Sequence, residues 1–386
     1  MKLLIISGMS HYLRDSILVG WGPTAHEIDH LATLFDEVRH IAVLHRGPAP
    51  ASSLPYTSTK VTFIPVPAAG GPGVLEKGII LLRYPGYVAA MLRELPKADV
   101  VHVRCPDNIG LLAIVVLAFV RHPKSRWVKY AGNWKPTGAE PWSFRFQRWW
   151  LARRLHRGVV TVNGSWPGQP AHVTSFVNPC LTDSEIGDAL RSGQDKMLTP
   201  PLRCIFVGRV ESEKGAGRAL EILARLRATG CDAKLDIVGD GPGRAAFETQ
   251  AHDLGVSGSA VFHGWLPRTA LPLLYQRSHI LLFPTSASEG WPKVLSEGMA
   301  YGVVPVAGGV SCIPQYLERF GTGRTFDAHD LSGFVEAIAW YVGHPSAWKE
   351  ESQRAVAAAR LFSYSRYLEA VRSLLELPPG RRAPVQ

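Results

Sequence analysis

The sequence predicts an α/β protein of two doubly wound, Rossmann-like domains facing across a cleft. Three observations carry this. Short apolar runs alternate with helical spacings from Lys2 to Pro179. The same alternation restarts at Arg203. Between them, Glu185–Pro201 is polar and ends in a proline pair, which reads as a linker. Strands alternating with helices imply a mainly parallel sheet with helices on both faces.

In the first half, KLLIIS, HIAVLH and KVTFIPVP read as strands, with the helical spacing Ile28, Leu31, Leu34, Phe35 between the first two. Val74–Leu95 reads as helix broken near Pro85–Gly86. ADVVHVR, RWVKYAG, GVVTVNG and VTSFVNP are further strands, with Ile109–Val120 and a basic helix intervening. In the second half the strands are RCIFVGR, AKLDIVGDG, SAVFHGW, HILLFPTS and VVPVAGG. Helices are expected between them and over Leu331–Val342, Glu350–Leu361 and Tyr367–Leu377, with a frayed tail PPGRRAPVQ.

At 386 residues, two domains are the natural division. Hydrophobic residues make up 46% and charged residues 19%, which suits a globular chain with sizeable cores. The longest apolar stretch, Ile109–Val120, is too short to cross a bilayer and reads as a buried helix. MKLLIISG turns polar too soon for a signal peptide and reads as a first strand. The five cysteines are scattered without a C-x-x-C pair, so reduced thiols in the cytoplasm are expected, with no disulfide framework or zinc site. A formal charge of +10 favours nucleic acid, an anionic membrane face or phosphorylated substrates. No nucleic-acid motif accompanies it, so no nucleic-acid partner is expected. Pro141–Gly158 is basic and aromatic, with Arg145, Arg148, Trp149, Trp150, Arg153 and Arg154. Such a helix is either a peripheral contact with an anionic membrane or a domain helix with a solvated basic face.

The chain is organised around Ser288–Gly298, SEGWPKVLSEG. Gly290 permits close backbone approach to a ligand, and Pro292 suits a first helical turn. Glu289 then lies in the loop before the helix and Glu297 inside it. Pro292 and Glu297 stand roughly 7–8 Å apart along a helix. Two acids spaced so can hold different hydroxyls of one elongated polar ligand. Amides at the helix start, aided by roughly half a positive charge, face an anion. The preceding strand HILLFPTS puts this at a strand's carboxyl end, where open α/β sheets bind ligands. FVGRVESEKG adds Arg209 and Lys214 in the loop after another strand, two cations able to hold a diphosphate.

In order and at these intervals, FVGRVESEKG, VGDGPGR, FHGW, SEGWPKVLSEGMAYGVVPVAGG and FSYSRY resemble the retaining glycosyltransferases of family 4, or group 1, with the GT-B fold. The resemblance covers nearly all of the second half; the first half shares it through the opening strand, GWGPTAHEIDHLATLF and VNPCL. It implies an acceptor-binding domain over 1–190, a nucleotide-sugar-binding domain over 191–362, and a C-terminal helix and tail, 363–386, returning to the first domain. It makes Arg209 and Lys214 a diphosphate clamp, Glu289 the acid on the donor sugar and Glu297 the acid on the ribose. Amides of Lys293, Val294 and Leu295, next to Gly290, would meet the phosphates. His263 and Gly264 would border the nucleobase, and Gly20 and Gly22 would form the first domain's glycine turn. Many relatives carry a histidine where this chain has Ala131 and Gly132; His102 stands on a different strand and reads as packed or solvated. No Asp-x-Asp motif is evident, and the family needs no bound metal or cofactor beyond the donor.

The implied activity is transfer of a hexose-type sugar from a nucleotide diphosphate sugar to the hydroxyl of a glycan, glycolipid or small molecule, with retention. Polysaccharide or glycolipid biosynthesis, in the cytoplasm or peripherally on the inner membrane face, is the implied setting. A sugar-nucleotide epimerase or phosphorylase on the same fold, a binding protein without turnover, and a dinucleotide oxidoreductase are the alternatives. GDGPG lacks the third glycine that the last would need.

Overall fold

A computed structural model describes residues 1–69, 74–136, 138–193 and 195–377. By its internal contacts the chain divides into two units. Unit 1 is Met1–Phe176 with the residues from Arg366 on, and unit 2 is Val177–Ser365. The expected frayed tail from Pro378 lies outside the described residues.

In unit 1, β1 (Lys2–Arg14), β2 (Ile17–Trp21), α1 (Gly22–Leu31), β3 (Glu37–Leu44), β4 (Ser53–Pro55) and β5 (Val61–Pro67) are followed by α2 (Val74–Glu94). Then come β6 (Val100–Cys105), α3 (Asn108–Phe119), β7 (Ser125–Tyr130), α4 (Trp142–Ala152), β8 (Val159–Val162) and β9 (Val173–Ser175). Seven strands pair in parallel in the order β5-β3-β1-β6-β7-β8-β9. The apolar run of β1 shows why both faces are covered. Leu3 and Ile5 point to one core with Ala25 and Ile28 of α1. Leu4 and Ile6 point to the other, with Tyr87 and Met91 of α2, Ile114 of α3 and Leu151 of α4. A strand buried on both faces reads as a continuous apolar run.

Two departures from the sequence reading have clear causes. First, α2 runs unbroken through Pro85. Tyr87 and Met91 bury the turns that follow, while Pro85 and Gly86 are exposed, so water can serve the carbonyl that proline leaves without a donor. Second, Gly20 and Gly22 do not form a loop. β1 continues past the parallel sheet and turns at Asp15–Ser16, both at positive φ (50° and 64°), into β2, which pairs with it antiparallel. Gly20 lies in β2, and Gly22 opens α1 with its amide donating to Ser52 O at 3.1 Å. A Cβ on Gly22 would stand 2.7 Å from that same oxygen, so backbone packing requires glycine here.

The basic helix forms as α4, but its residues divide. Arg148 pairs with Glu140 and reaches the Tyr130 hydroxyl at 3.2 Å. Trp150 donates to Ile114 O at 3.1 Å. Arg148 and Trp150 therefore serve the fold and leave the outward face. Arg145, Trp149, Arg153 and Arg154 remain exposed. His102 is fully buried and stacks on Trp127 at 3.7 Å, a packed core histidine.

Unit 2 holds α5 (Asp183–Gly193), β10 (Leu202–Val207), α6 (Ala216–Ala228), β11 (Ala233–Val238), α7 (Arg244–Asp253), β12 (Ala260–Gly264) and α8 (Leu271–Arg277). It continues with β13 (Ile280–Phe283), α9 (Lys293–Ala300), β14 (Val304–Gly308), α10 (Ile313–Phe320), β15 (Arg324–Phe326), α11 (Leu331–Gly343) and α12 (Pro345–Ala359). The six strands are parallel in the order β12-β11-β10-β13-β14-β15. α13 (Tyr364–Leu374) follows, and its Tyr367 and Val371 bury into the unit 1 core beside Leu3 and Ile28. Its Tyr367 hydroxyl lies 3.3 Å from Glu27, a buried carboxylate that also takes Arg104 (2.9 Å) and Lys129 (2.6 Å).

The stretch read as a linker is mostly helix. Thr182 and Glu185 form a capping box: the Glu185 amide donates to Thr182 Oγ1 (3.2 Å), and Glu185 Oε2 accepts from the Thr182 amide (2.7 Å). The signal T-D-S-E was present, but polarity masked it.

Candidate functional site

In the second sheet, strand order reverses between β10 and β13. Ligands of such sheets bind outside the carboxyl ends at this switch point. The loop after β10 carries Arg209 and Lys214; the loop after β13 carries Glu289. The strand ends themselves are glycines in close backbone contact. A Cβ on Gly239 (φ +130°) would stand 1.9 Å from Gly208 O, and one on Gly308 2.0 Å from Thr285 O.

Backbone lacing brings the two loops together. Gly215, at φ +94°, opens α6 so close to Pro284 O that a Cβ would lie 2.2 Å from it. The Ser286 amide donates to Glu213 O at 2.8 Å. Arg218 donates to Pro284 O (2.7 Å) and Glu213 O (3.0 Å). The result is a contact between two of the expected site residues: Lys214 Nζ lies 2.8 Å from Glu289 Oε2. Thr285 Oγ1 steadies the other Glu289 oxygen at 3.4 Å. Both partners keep about a quarter of their side-chain surface exposed (23% and 24%), so the pair meets solvent and can be re-partnered by a ligand. Arg209 occupies the same loop but is exposed and pairs with Glu211 at 2.5 Å.

The Glu289 loop is held by an aromatic anchor. Trp291 is buried, stacks on Phe362 at 5.3 Å and meets Tyr316 edge-on at 4.9 Å. Its indole donates to Ser296 Oγ at 2.6 Å, and its carbonyl accepts from Asn178 Nδ2 at 3.2 Å. α9 then starts with Pro292 as N-cap and no side-chain cap. Of the three amides singled out by resemblance, that of Leu295 donates to Pro292 O at 3.2 Å and is engaged within the turn.

Glu297 lies inside α9, with 14% of its side chain exposed. Arg268 Nη1 stands 3.4 Å from it, and the Tyr275 hydroxyl donates to it at 3.4 Å. Burial pushes its carboxyl up from the ordinary range, opposed by Arg268 and Lys293. Arg268 also grips Glu185 through two nitrogens (2.7 and 3.0 Å) and donates to Cys180 O. Arg268 and Glu185 went unnoticed in the sequence. Arg268 is a lone cation in PRTALPLL, far in sequence from its partners, and no local signal marks it.

His263 Nε2 lies 2.7 Å from Asp236 Oδ1, whose other partner is Arg277 at 2.6 Å. The imidazole is thus tied to the body of the sheet. Gly264 ends β12 at φ +69°, its carbonyl accepting from the Gly239 amide at 2.8 Å. Among the described residues, no group of three or more His, Cys, Asp or Glu is placed to hold a metal ion. Gly20 and Gly22 belong to unit 1.

A six-stranded doubly wound sheet with glycine-lined strand ends and a charged pair at its switch point is a Rossmann-like domain, and neighbours covering nearly the whole chain give it the GT-B fold. Residues 195–362 match the family Glycosyl transferases group 1. The match places the family's domain in the second half of the chain. Among curated relatives, a glycogen synthase of Mycobacterium tuberculosis is 27% identical over 298 residues, covering 75% of this chain and 64% of that protein. The chain thus spans less than two thirds of that relative's length. A 2-deoxystreptamine glucosyltransferase of Streptomyces kanamyceticus is 35% identical over 105 residues, 27% of each chain. Among solved structures, sucrose-phosphate synthase of Thermosynechococcus elongatus superposes with a TM-score of 0.71 at 15% identity, covering 97% of this chain and 98% of that one. The Anabaena protein HepE, solved in complex with UDP, gives 0.69 at 14% identity, covering 97% and 100%. No helix among the described residues is long and apolar enough to cross a membrane.

Proposed function

We propose that this protein is a retaining, metal-independent hexosyltransferase that moves a sugar from a nucleotide diphosphate sugar to an acceptor hydroxyl. The observation that supports it most is the Lys214–Glu289 contact at the switch point of the family domain. A diphosphate arriving there would take Lys214 as counter-ion, joined by Arg209. Glu289, released from the pair, is then free to accept from hydroxyls of the donor sugar. Glu297, held by Arg268 and Tyr275, offers its carboxylate to the ribose. Val294 and its neighbours at the start of α9 present the positive end of the helix to the phosphates. His263 and Gly264 border the nucleobase. In this division of labour the stretch 1–190 binds acceptor, 191–362 binds donor, and 363–386 returns to the first domain.

Chemically, the bond between the anomeric carbon and the diphosphate oxygen breaks as the acceptor oxygen bonds to that carbon on the same face. The acceptor proton passes to the departing phosphate oxygen, so no side-chain base is required. Charge grows on the leaving group, and Lys214 and Arg209 stabilise it, which is electrostatic catalysis. The acceptor is a glycan, a glycolipid or a small molecule in polysaccharide or glycolipid synthesis. The setting is the cytoplasm, with peripheral attachment to the inner membrane face. Incubation with a panel of nucleotide sugars, followed by donor turnover, tests the reaction. At least one donor is consumed with product of retained configuration; an epimer or a sugar phosphate as product, or no turnover with any donor, contradicts it.

A further inference from the structure

The α2–α3–α4 layer of unit 1 shows more apolar surface than a core requires. α3 lies between α2 and α4 and has no charged residue in Asn108–Phe119. Around it, Leu82 is 79% exposed, Phe119 80% and Trp142 74%, with Leu81 and Trp149 also exposed. On α4 the rings form a continuous ladder. Trp142 meets Phe146 at 5.9 Å, Phe146 meets Trp149 at 5.6 Å, and the Arg153 guanidinium lies 4.5 Å over the Trp149 ring. Exposed aromatics on monomer surfaces of this extent mark an interaction site.

Charge selects the occupant. From Val74 to Gly158 the sequence holds fifteen Lys or Arg against five Asp or Glu, an excess of ten. That equals the excess of the entire chain, so the remainder is balanced. Several of these cations are spent internally: Arg126 on the carbonyls of Leu117 and Val120, Lys129 and Arg104 on Glu27, Arg148 on Glu140. Arg83, Arg121, Lys124, Arg145, Arg153 and Arg154 stay exposed. The nearby acids are mostly engaged: Glu94 with Arg39, Glu140 with Arg148, and Asp107 with the amides of Gly8 and Gly110.

We propose that the outer face of α2–α3–α4 docks on an anionic lipid bilayer. Trp142, Trp149, Phe119, Leu81 and Leu82 enter the headgroup boundary, and the arginines meet anionic headgroups. The inference rests on the proposed transfer reaction only for its purpose, bringing the site to acceptors at a membrane; its test does not depend on turnover.

The test is flotation of the full chain with vesicles of neutral phosphatidylcholine, and with vesicles containing about 30% phosphatidylglycerol. Binding is expected to the anionic vesicles only, falling at least about fivefold when salt is raised from ~0.05 M to ~0.5 M. Arg153→Gln with Arg154→Gln weakens it about 25-fold, at roughly a factor of five per cation removed. Trp142→Ser with Trp149→Ser, or Leu81→Ser with Leu82→Ser, removes the salt-resistant part. Arg225→Glu, on unit 2, leaves binding unchanged. Equal binding to neutral vesicles, no binding at low salt, or equal loss with Arg225→Glu overturns the proposal. A nucleoside diphosphate thermal shift on the same samples reports the donor site separately, and the surface variants leave it intact.

Discussion

The two parallel sheets finish differently at their carboxyl edges. In unit 2 the strands stop at Gly208, Gly239, Gly264 and Gly308, backbone lies on backbone, and the side chains at the switch point are an ion pair open to solvent. In unit 1 the strand at the switch point runs on into a hairpin, and buried histidines fill the space. His11 Nε2 and His40 Nδ1 both meet the Tyr56 hydroxyl (2.7 and 2.8 Å), and Ser7 Oγ meets His40 at 2.8 Å. One edge is cleared for a ligand to approach main chain; the other is packed with neutral polar groups. The cleared edge is the one with a dense motif, because close backbone approach restricts residue choice far more than side-chain packing does.

The largest expected difference is in acid. His11 and His156 are pulled down to about 4 by burial, and His40 and His102 well below their ordinary value for the same reason. All four lie in unit 1; His279, also pulled down to about 4 by burial, is the counterpart in unit 2. A folded-state pKa below the unfolded 6.5 means that the unfolded chain takes up the proton first. Stability is therefore lost as pH falls from 6.5 toward 4, at about 1.4 kcal/mol per pH unit for each histidine. Four such groups against one make unit 1 the more acid-sensitive of the two. Asp107, pushed up to about 6 by burial, and Glu297, pushed up likewise, act in the opposite sense, one in each unit. Hydrogen exchange at pH 5 should show unit 1 amides opening before those of unit 2. The reverse order would break the comparison.

Next in size is Gly239→Ala. Its φ of +130° and the 1.9 Å approach to Gly208 O predict a loss of about 3 kcal/mol or more, seen as a lower unfolding midpoint. At Gly20 the nearest atoms to an added Cβ are side-chain atoms of Met9 and His11, at 2.6–2.8 Å, rather than backbone, so the cost of Gly20→Ala is smaller. Equal costs would show that the two edges are not differently built.

Glu289→Gln acts on chemistry. It removes the charge facing Lys214 while keeping the side-chain volume, so turnover falls about a hundredfold and diphosphate affinity changes by less than about threefold. Unchanged turnover would take Glu289 out of the site. Smallest is Arg209→Ala. Its side chain is 63% exposed and its only described partner is Glu211, so stability moves by less than about 0.5 kcal/mol while diphosphate binding weakens. A large stability loss would reassign Arg209 to the fold.

How much was legible follows the same division. Lys214, Glu289 and Glu297 stand in dense local motifs, and the place of Lys214 and Glu289 after strand ends was readable from strand–helix alternation; the switch point itself appears only in the strand order. Arg268 was invisible because its partners, Glu185 and Glu297, are brought to it only by the fold. The hairpin of β1 and β2 was missed because Asp15–Ser16 is a weaker turn signal than Asn-Gly or Asp-Gly. Arg148 and Trp150 looked like their neighbours in sequence; only the position of α3 and Glu140 shows that they face inward.

The most direct test of the central claim is a thermal-shift titration of wild type and Lys214→Ala with UDP, GDP and ADP. A ligand that binds the folded state raises the midpoint, by about 2.7 kcal/mol of stability at a hundred times its dissociation constant. At least one diphosphate should raise the wild-type midpoint, and Lys214→Ala should lose most of that rise. No shift with any diphosphate, or the same shift in both proteins, would contradict the account.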